Sequence, residues 1–142
     1  MNIKHCELKD VATWERAKAG KVYPAGCSAL QISATKGGIF YLDGPQEVES
    51  KYVVITPSND IEPFYFNIVL KRNINKFLYA YKSGLNIQAN DVGHYPIDLH
   101  DYDKQVEIAK VVTKLDAMAE QKKQTAETLQ NFKSESLHSM FV

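Results

Sequence analysis

The final third of this chain has no glycine and no proline. All seven glycines and all five prolines lie at or before Pro96. That absence excludes a turn-rich sheet after Pro96 and predicts a long helix instead. Cysteine is scarce, with only Cys6 and Cys27. Two such residues exclude a disulfide-stapled scaffold and favour reduced thiols in a cytoplasmic protein. No apolar run approaches the roughly 18 residues of a membrane-spanning helix. The opening stretch MNIKHCELKD has no apolar core of the kind a signal peptide needs. Acidic residues are missing between Glu62 and Asp91. Net charge is absent too: 17 basic side chains balance 17 acidic ones. A neutral total argues against a protein whose whole surface binds nucleic acid.

What is present fits a small α+β protein. The 142 residues are 44% apolar, 24% charged and 11% aromatic, ordinary values for a globular chain. They suffice for one domain, or for a small domain plus one long helix. The neutral total hides two unlike parts. Residues 1–95 carry eleven basic and nine acidic groups, and residues 96–142 carry six and eight. Short strands and turns dominate the first part. Ala29–Ala34 alternates in part and meets the turn signal Lys36-Gly37-Gly38. Ile39–Leu42 is stopped by Asp43-Gly44-Pro45, and Tyr52–Thr56 is the clearest strand. From Ile61 to Tyr81 the apolar residues recur near a 3.6 period. Glu62 and Pro63 suit a helix start, so residues 63–82 read as one or two helices. Gly84 is the expected helix stop, residues 83–88 a loop, and Tyr95–Leu99 a last short strand.

The C-terminal helix is expected to start near Asp101 or Asp103, either of which can cap it. Its apolar positions keep a heptad: Ile108, Val111, Leu115, Met118, then Lys122 and Thr125, then Leu129 and Phe132. A seam that is apolar at both ends and polar in the middle suits pairing with another helix, the polar centre setting register. About 37 helical residues span roughly 55 Å, more than a domain of this size needs to cover its own sheet.

Catalytic signals are missing. The chain has no glycine-rich phosphate loop, no His-x-x-x-His, no Cys-x-x-Cys and no Gly-x-Ser-x-Gly. No cofactor or metal is expected, and the four histidines are scattered. A small enzyme would have to rest on His94 near Asp91, or on His100 near Asp98 and Asp101. One charge feature does stand out. The acid-free window holds Lys71, Arg72, Lys76 and Lys82, interleaved with Phe77, Tyr79 and Tyr81. It closes with Ser83, Asn86 and Gln88. Arg16, Lys18 and Lys21 form a second basic set beside Tyr23. Gln31, Ser33, Thr35 and Lys36 form a third, polar set at a strand end. Lysine and arginine supply affinity for phosphates, and Gln, Asn, Ser and Arg read base edges. Solvated helix faces and turns would produce the same composition.

Several segments of the C-terminal half fall into one pattern: Tyr95-Pro96-Ile97-Asp98-Leu99, Gln105-Val106-Glu107-Ile108-Ala109, Lys114-Leu115-Asp116, Leu129, Phe132-Lys133 and Leu137-His138-Ser139-Met140-Phe141. The pattern resembles the tail of a target-recognition unit in the specificity subunit of type I restriction-modification systems. Ser83-Gly84-Leu85-Asn86-Ile87-Gln88 is similar to the loop that precedes that tail. Val11–Lys21 and Gln31–Thr35 look like the weaker early part. The usual proline and glutamate before the glutamine are absent here, where the chain reads Asp101-Tyr102-Asp103-Lys104-Gln105.

The resemblance implies one target-recognition-like DNA-binding domain over residues 1–100. It implies a long coiled-coil helix over 101–142 for dimerisation and partner docking. In that family each recognition domain reads half of a split site in double-stranded DNA, and the helices separate two such domains. A half-size, non-enzymatic subunit would homodimerise through its helix, with DNA methyltransferase and restriction subunits as partner chains and no membrane involved. Two-fold symmetry then implies a palindromic split site. Arg16, Lys18, Lys21, Lys36 and Lys82 would hold phosphates. Gln31, Ser33, Asn86 and Gln88 would face base edges. Ile108, Val111, Leu115, Met118, Leu129 and Phe132 would form the dimer seam. The competing reading is an interaction protein that docks by its helix on a methyltransferase or specificity subunit and modulates it without touching DNA.

Overall fold

The most β-prone run of the sequence sits at the centre of the main sheet. The structure, a computed structural model, describes residues 3–131 in full and residues 132–140 as helical backbone. Its elements are β1 (Lys4–Glu7), the single turn α1 (Leu8–Val11), β2 (Ala12–Arg16), β3 (Val22–Tyr23), β4 (Ser28–Gln31), β5 (Ile39–Tyr41), β6 (Gln46–Glu47), β7 (Tyr52–Pro57), α2 (Pro63–Tyr81), β8 (Pro96–Leu99) and α3 (Tyr102–Met140). A 3₁₀ segment, Ala89–His94, precedes β8. The main sheet is antiparallel with order β2-β7-β4-β5. β1 pairs with β8, and β3 with β6, as separate two-stranded ribbons.

β7 reads as a continuous apolar run because both of its faces are covered. Val53 and Ile55 enter one core with Leu30, Tyr65, Phe66, Leu70 and Phe77. Val54, with Tyr52 packed beside it, belongs to the opposite face, with Ala29, Cys27, Leu42 and Tyr23. Alternation along the strand assigns the two sets to two sides. α2 covers the first side with Tyr65, Phe66, Val69, Leu70 and Phe77, spaced three and four apart. Glu62 caps it, its carboxylate accepting from the Tyr65 N–H at 2.6 Å, and Pro63 occupies the first helical position. It is one helix, and it ends at Tyr81. Gly84 therefore lies beyond the stop, in the following turn.

Buried polar groups of this core are paired. Asn67 donates to the Ser28 hydroxyl at 3.0 Å, and Asn73 donates to the Pro96 carbonyl and the Asp98 carboxylate at 2.9 and 3.1 Å. Tyr95 stacks on Phe77 with ring centroids 4.5 Å apart and donates to the Leu70 carbonyl. α3 opens with Asp101 accepting from the Lys104 N–H at 3.0 Å, so Asp101 is the cap. Gln105, on the first turn, is 4% exposed. Its Nε2 donates to the His100 carbonyl at 2.9 Å and its Oε1 accepts from the Glu62 N–H at 3.0 Å.

The structure corrects one further sequence expectation and adds two strands that the sequence pattern does not signal. Residues 32–34 are not strand. The Ile32 N–H turns to the Lys51 carbonyl at 2.8 Å, and Ala34 takes a positive φ of 49°. Residues 4–16, which show no apolar period, contain two strands. β1 is half exposed and β2 lies at the sheet edge, so neither displays a clean alternation.

The chain divides into two compact units, Met1–Ala109 and Lys110–Val142. The second is helix throughout its described length, and there only Val112 is partly buried. Among the described residues no helix is long and apolar enough to cross a membrane.

Candidate nucleic-acid interface

Two loops at one end of α2 are laid together by hydrogen bonds. They are residues 31–38, running on from the last residue of β4, and residues 82–88, after α2. The Thr35 N–H donates to the Leu85 carbonyl at 2.8 Å and the Ile87 N–H to the Ile32 carbonyl at 2.9 Å. The Ala34 N–H donates to Oδ1 of Asn86 at 3.0 Å. Gln31 braces the first loop from within, its Nε2 donating to the carbonyls of Ser33 and Ala34 at 3.0 and 3.1 Å. Gly37 has a φ of 94°, and a Cβ there would stand 3.0 Å from Ile74 and Leu78, so the loop lies against the C-terminal half of α2. Arg16 joins from β2, donating to the Ser50 carbonyl at 2.8 Å and the Ser33 hydroxyl at 3.3 Å.

The expected binding residues thus separate into kinds. Gln31, Ser33 and Asn86 are drawn together, but as loop braces: the Gln31 amide nitrogen and the Asn86 oxygen are committed to backbone. Gln88, Lys36 and Lys82 lie on the same two loops. Among the described residues Lys18, Lys36 and Lys82 make no ion pair, and neither do Lys71, Arg72 and Lys76 on the exposed face of α2. Lys21 is placed differently. Its ammonium sits 2.8 Å from Glu15, which also accepts from the Tyr23 hydroxyl at 2.6 Å. Those two hydrogen bonds, from Lys21 first, hold the Glu15 carboxyl below its ordinary pKa. Strand alternation places Glu15 and Arg16 on opposite faces of β2, so the basic set Arg16–Lys18–Lys21 is split.

The histidines pair with partners that sequence proximity does not suggest. His94 meets Glu7 at 2.8 Å rather than Asp91, and His100 meets the Tyr65 hydroxyl at 2.7 Å rather than Asp98 or Asp101. His5 lies 2.6 Å from Asp98 across the β1–β8 ribbon. Burial opposes the charge on Asp98, but hydrogen bonds from His5 and Asn73 outweigh it and keep the carboxyl below its usual range. Tyr65, Arg72, Asp98, His5 and His100 line a cavity of about 230 Å³ with Ile3, Ile68, Val69 and Ile108. No serine or cysteine lies on that wall. Among the described residues no three His, Cys, Asp or Glu side chains are placed to share a metal ion.

The expected seam residues differ in surroundings. Ile108 packs against the head core and lines that cavity. Val111, Leu115, Met118 and Leu129 are exposed, Leu115 by 57% and Leu129 by 58%. The side chain of Phe132 lies outside the described residues.

Residues 9–131 match the type I restriction modification DNA specificity domain. The chain belongs to that family. The match takes in both loops and the α3 positions up to Leu129. Solved structures agree with the specificity-domain fold. A type I restriction-modification S subunit from M. genitalium superposes with a TM-score of 0.68 at 15% identity, covering 90% of this chain and 42% of that one. A chain from a study of complex assembly and conformational transition of the type I R-M system gives 0.72 at 13% identity, covering 89% and 41%. The HsdS subunit from Thermoanaerobacter tengcongensis gives 0.61 at 11% identity, covering 82% and 37%. This chain therefore spans about two fifths of the length of those solved chains. No curated protein sequence matches it.

Proposed function

We propose that this chain is a sequence-specific DNA recognition subunit that pairs with a second copy through α3. Residues 1–100 supply the reader. Residues 101–142 supply the helix that pairs and that docks methyltransferase and restriction subunits. Catalysis belongs to those partner chains, in the cytoplasm. The observation that carries the reading is the joined pair of loops, 31–38 and 82–88, inside the family match. They are tied to each other by hydrogen bonds, free of carboxylates, and carry lysines that form no ion pair among the described residues. Lys36 and Lys82 hold phosphates there, with Arg16 beside them and Lys18 at the flank, while Lys21, paired with Glu15, is left out of the phosphate set. Gln88 and the remaining amide of Asn86 face base edges, while Gln31 and Ser33 hold the loops in shape. The exposed row Val111, Leu115, Met118 and Leu129 supports pairing, because an apolar stripe of that kind gains stability only against a partner.

The test is a salt-dependent gel shift on random duplex DNA. Binding at about 50 mM salt is expected, with affinity falling as salt rises. Replacing Lys36 by Ala is expected to weaken all sequences alike and to lower the salt slope by about one. No binding at that salt overturns the reading and leaves the helix-docking modulator in its place.

A further inference from the structure

Leu85 is 67% exposed, yet it sits in one of the most tightly tied turns of the head. Ser83 and Asn86 exchange backbone hydrogen bonds at 2.9 and 3.1 Å, and Gly84 takes a φ of 61° to close the turn. The Leu85 carbonyl is held by Thr35, the Asn86 side chain by Ala34, and Ile87, 4% exposed, anchors the exit in the core. These bonds fix the backbone of the turn and so the direction of the Leu85 Cα–Cβ bond. An apolar side chain on a backbone already ordered has only its own rotamers left to fix on binding.

The surroundings decide what it meets. Lys82 and Ser83 precede it, and Lys36 follows the Thr35 that holds it. Neither residues 31–42 nor residues 63–90 contain a carboxylate. Tyr79, 95% exposed on the last turns of α2, adds an aromatic ring to the same acid-free stretch. Such charge suits a polyanion. A protein interface is built on a wider apolar patch than one leucine and one tyrosine. In a DNA groove a single apolar side chain suffices, against a thymine methyl or at a base step.

We infer that Leu85 is an apolar groove-contacting residue, presented to duplex DNA by the Ser83–Asn86 turn while Lys82 and Lys36 hold neighbouring phosphates. The inference rests on the DNA-recognition reading and adds the group that senses the groove interior.

The experiment selects duplexes from a random pool with the full-length protein. Affinity and its salt slope are then measured for wild type, Leu85→Ser, Leu85→Met, Lys82→Ala and Val22→Ser. Val22 is an exposed apolar residue of β3, in the β3–β6 ribbon, and serves as the control. Leu85→Ser is expected to weaken binding about tenfold with the slope unchanged, since an apolar contact releases no counterion. Leu85→Met keeps most of the affinity, Lys82→Ala lowers the slope by about one, and Val22→Ser changes neither. Thermal melts of the Leu85 variants should match wild type. Wild-type affinity in Leu85→Ser, or equal losses in Leu85→Ser and Val22→Ser, overturns the inference while leaving the DNA-recognition reading intact. Failure of the wild type to retain any duplex overturns both.

Discussion

The head and the helical segment after Ala109 solve opposite problems. The head closes on itself: Leu8, Leu30, Val53, Ile55, Phe66, Leu70 and Phe77 are wholly removed from water, and no buried side-chain polar atom among the described residues lacks a partner. Residues 110–131 bury almost nothing, and their largest apolar side chains, Val111, Leu115, Met118 and Leu129, face solvent. Fully burying each such side chain is worth about 1.5–3 kcal/mol. One region thus draws its stability from its own interior, while the other leaves its apolar side chains in water. A chain can look like one domain by length and still contain a part that adds almost nothing to its core.

Four measurements sharpen or break this contrast. The largest effect belongs to the head core. Phe77→Ala empties the stacking partner of Tyr95 and is expected to cost about 3–5 kcal/mol, read as a lower head melting transition. Next is Leu115→Asp, which puts a charge into the proposed seam. It is expected to raise the dimer dissociation constant at least about a hundredfold by light scattering, since a buried unpaired charge costs several kcal/mol. The head transition should not move. An unchanged oligomeric state would remove the coiled-coil proposal.

Gln105→Ala comes third, at about 1–3 kcal/mol, because it leaves the half-buried N–H of Glu62 and the carbonyl of His100 without their amide partners. A Gln105→Glu variant should recover only the bond to Glu62. The smallest effect is on acid stability. Asp98 and Glu7 have depressed folded-state pKa values, Asp98 through His5 and Asn73 against burial, Glu7 chiefly through His94. A depressed carboxyl stabilises the fold above its unfolded-state pKa, and that stability is lost as pH falls through the folded value. The head melting temperature should therefore hold near neutrality and decline below about pH 4. In Asp98→Asn that acid decline should be shallower. An equal decline in the variant would mean that the His5–Asp98 contact contributes nothing.

Much of the architecture was legible because its causes are local. The α2 start follows from Glu62 and Pro63, the central strand from Tyr52–Thr56, and the long helix from the absence of breakers after Pro96. The family resemblance was legible too, and the structure gives its residues physical reasons. Ile97 and Leu99 are core, Gln105 clasps the start of α2 to the start of α3, and Ala109 packs into the head. The candidate interface was legible only in part. Gln31, Ser33 and Asn86 carry the right chemistry for base edges, but their groups are turned to loop carbonyls, N–H groups and Arg16. Lys21 is basic, yet Glu15 answers its charge from six residues away.

Periodicity, capping and breakers act over a few residues, so the order of residues along the chain sets them. The meeting of residues 31–38 with 82–88, the pairing of His5 with Asp98, and the outward set of Leu85 join segments distant in sequence. Long-range hydrogen bonds and close packing decide those, and they appear only when the chain is folded. The long helix stands on both sides of the line: its existence follows from the missing glycine and proline, and its exposed stripe from a tertiary core that stops at Ala109.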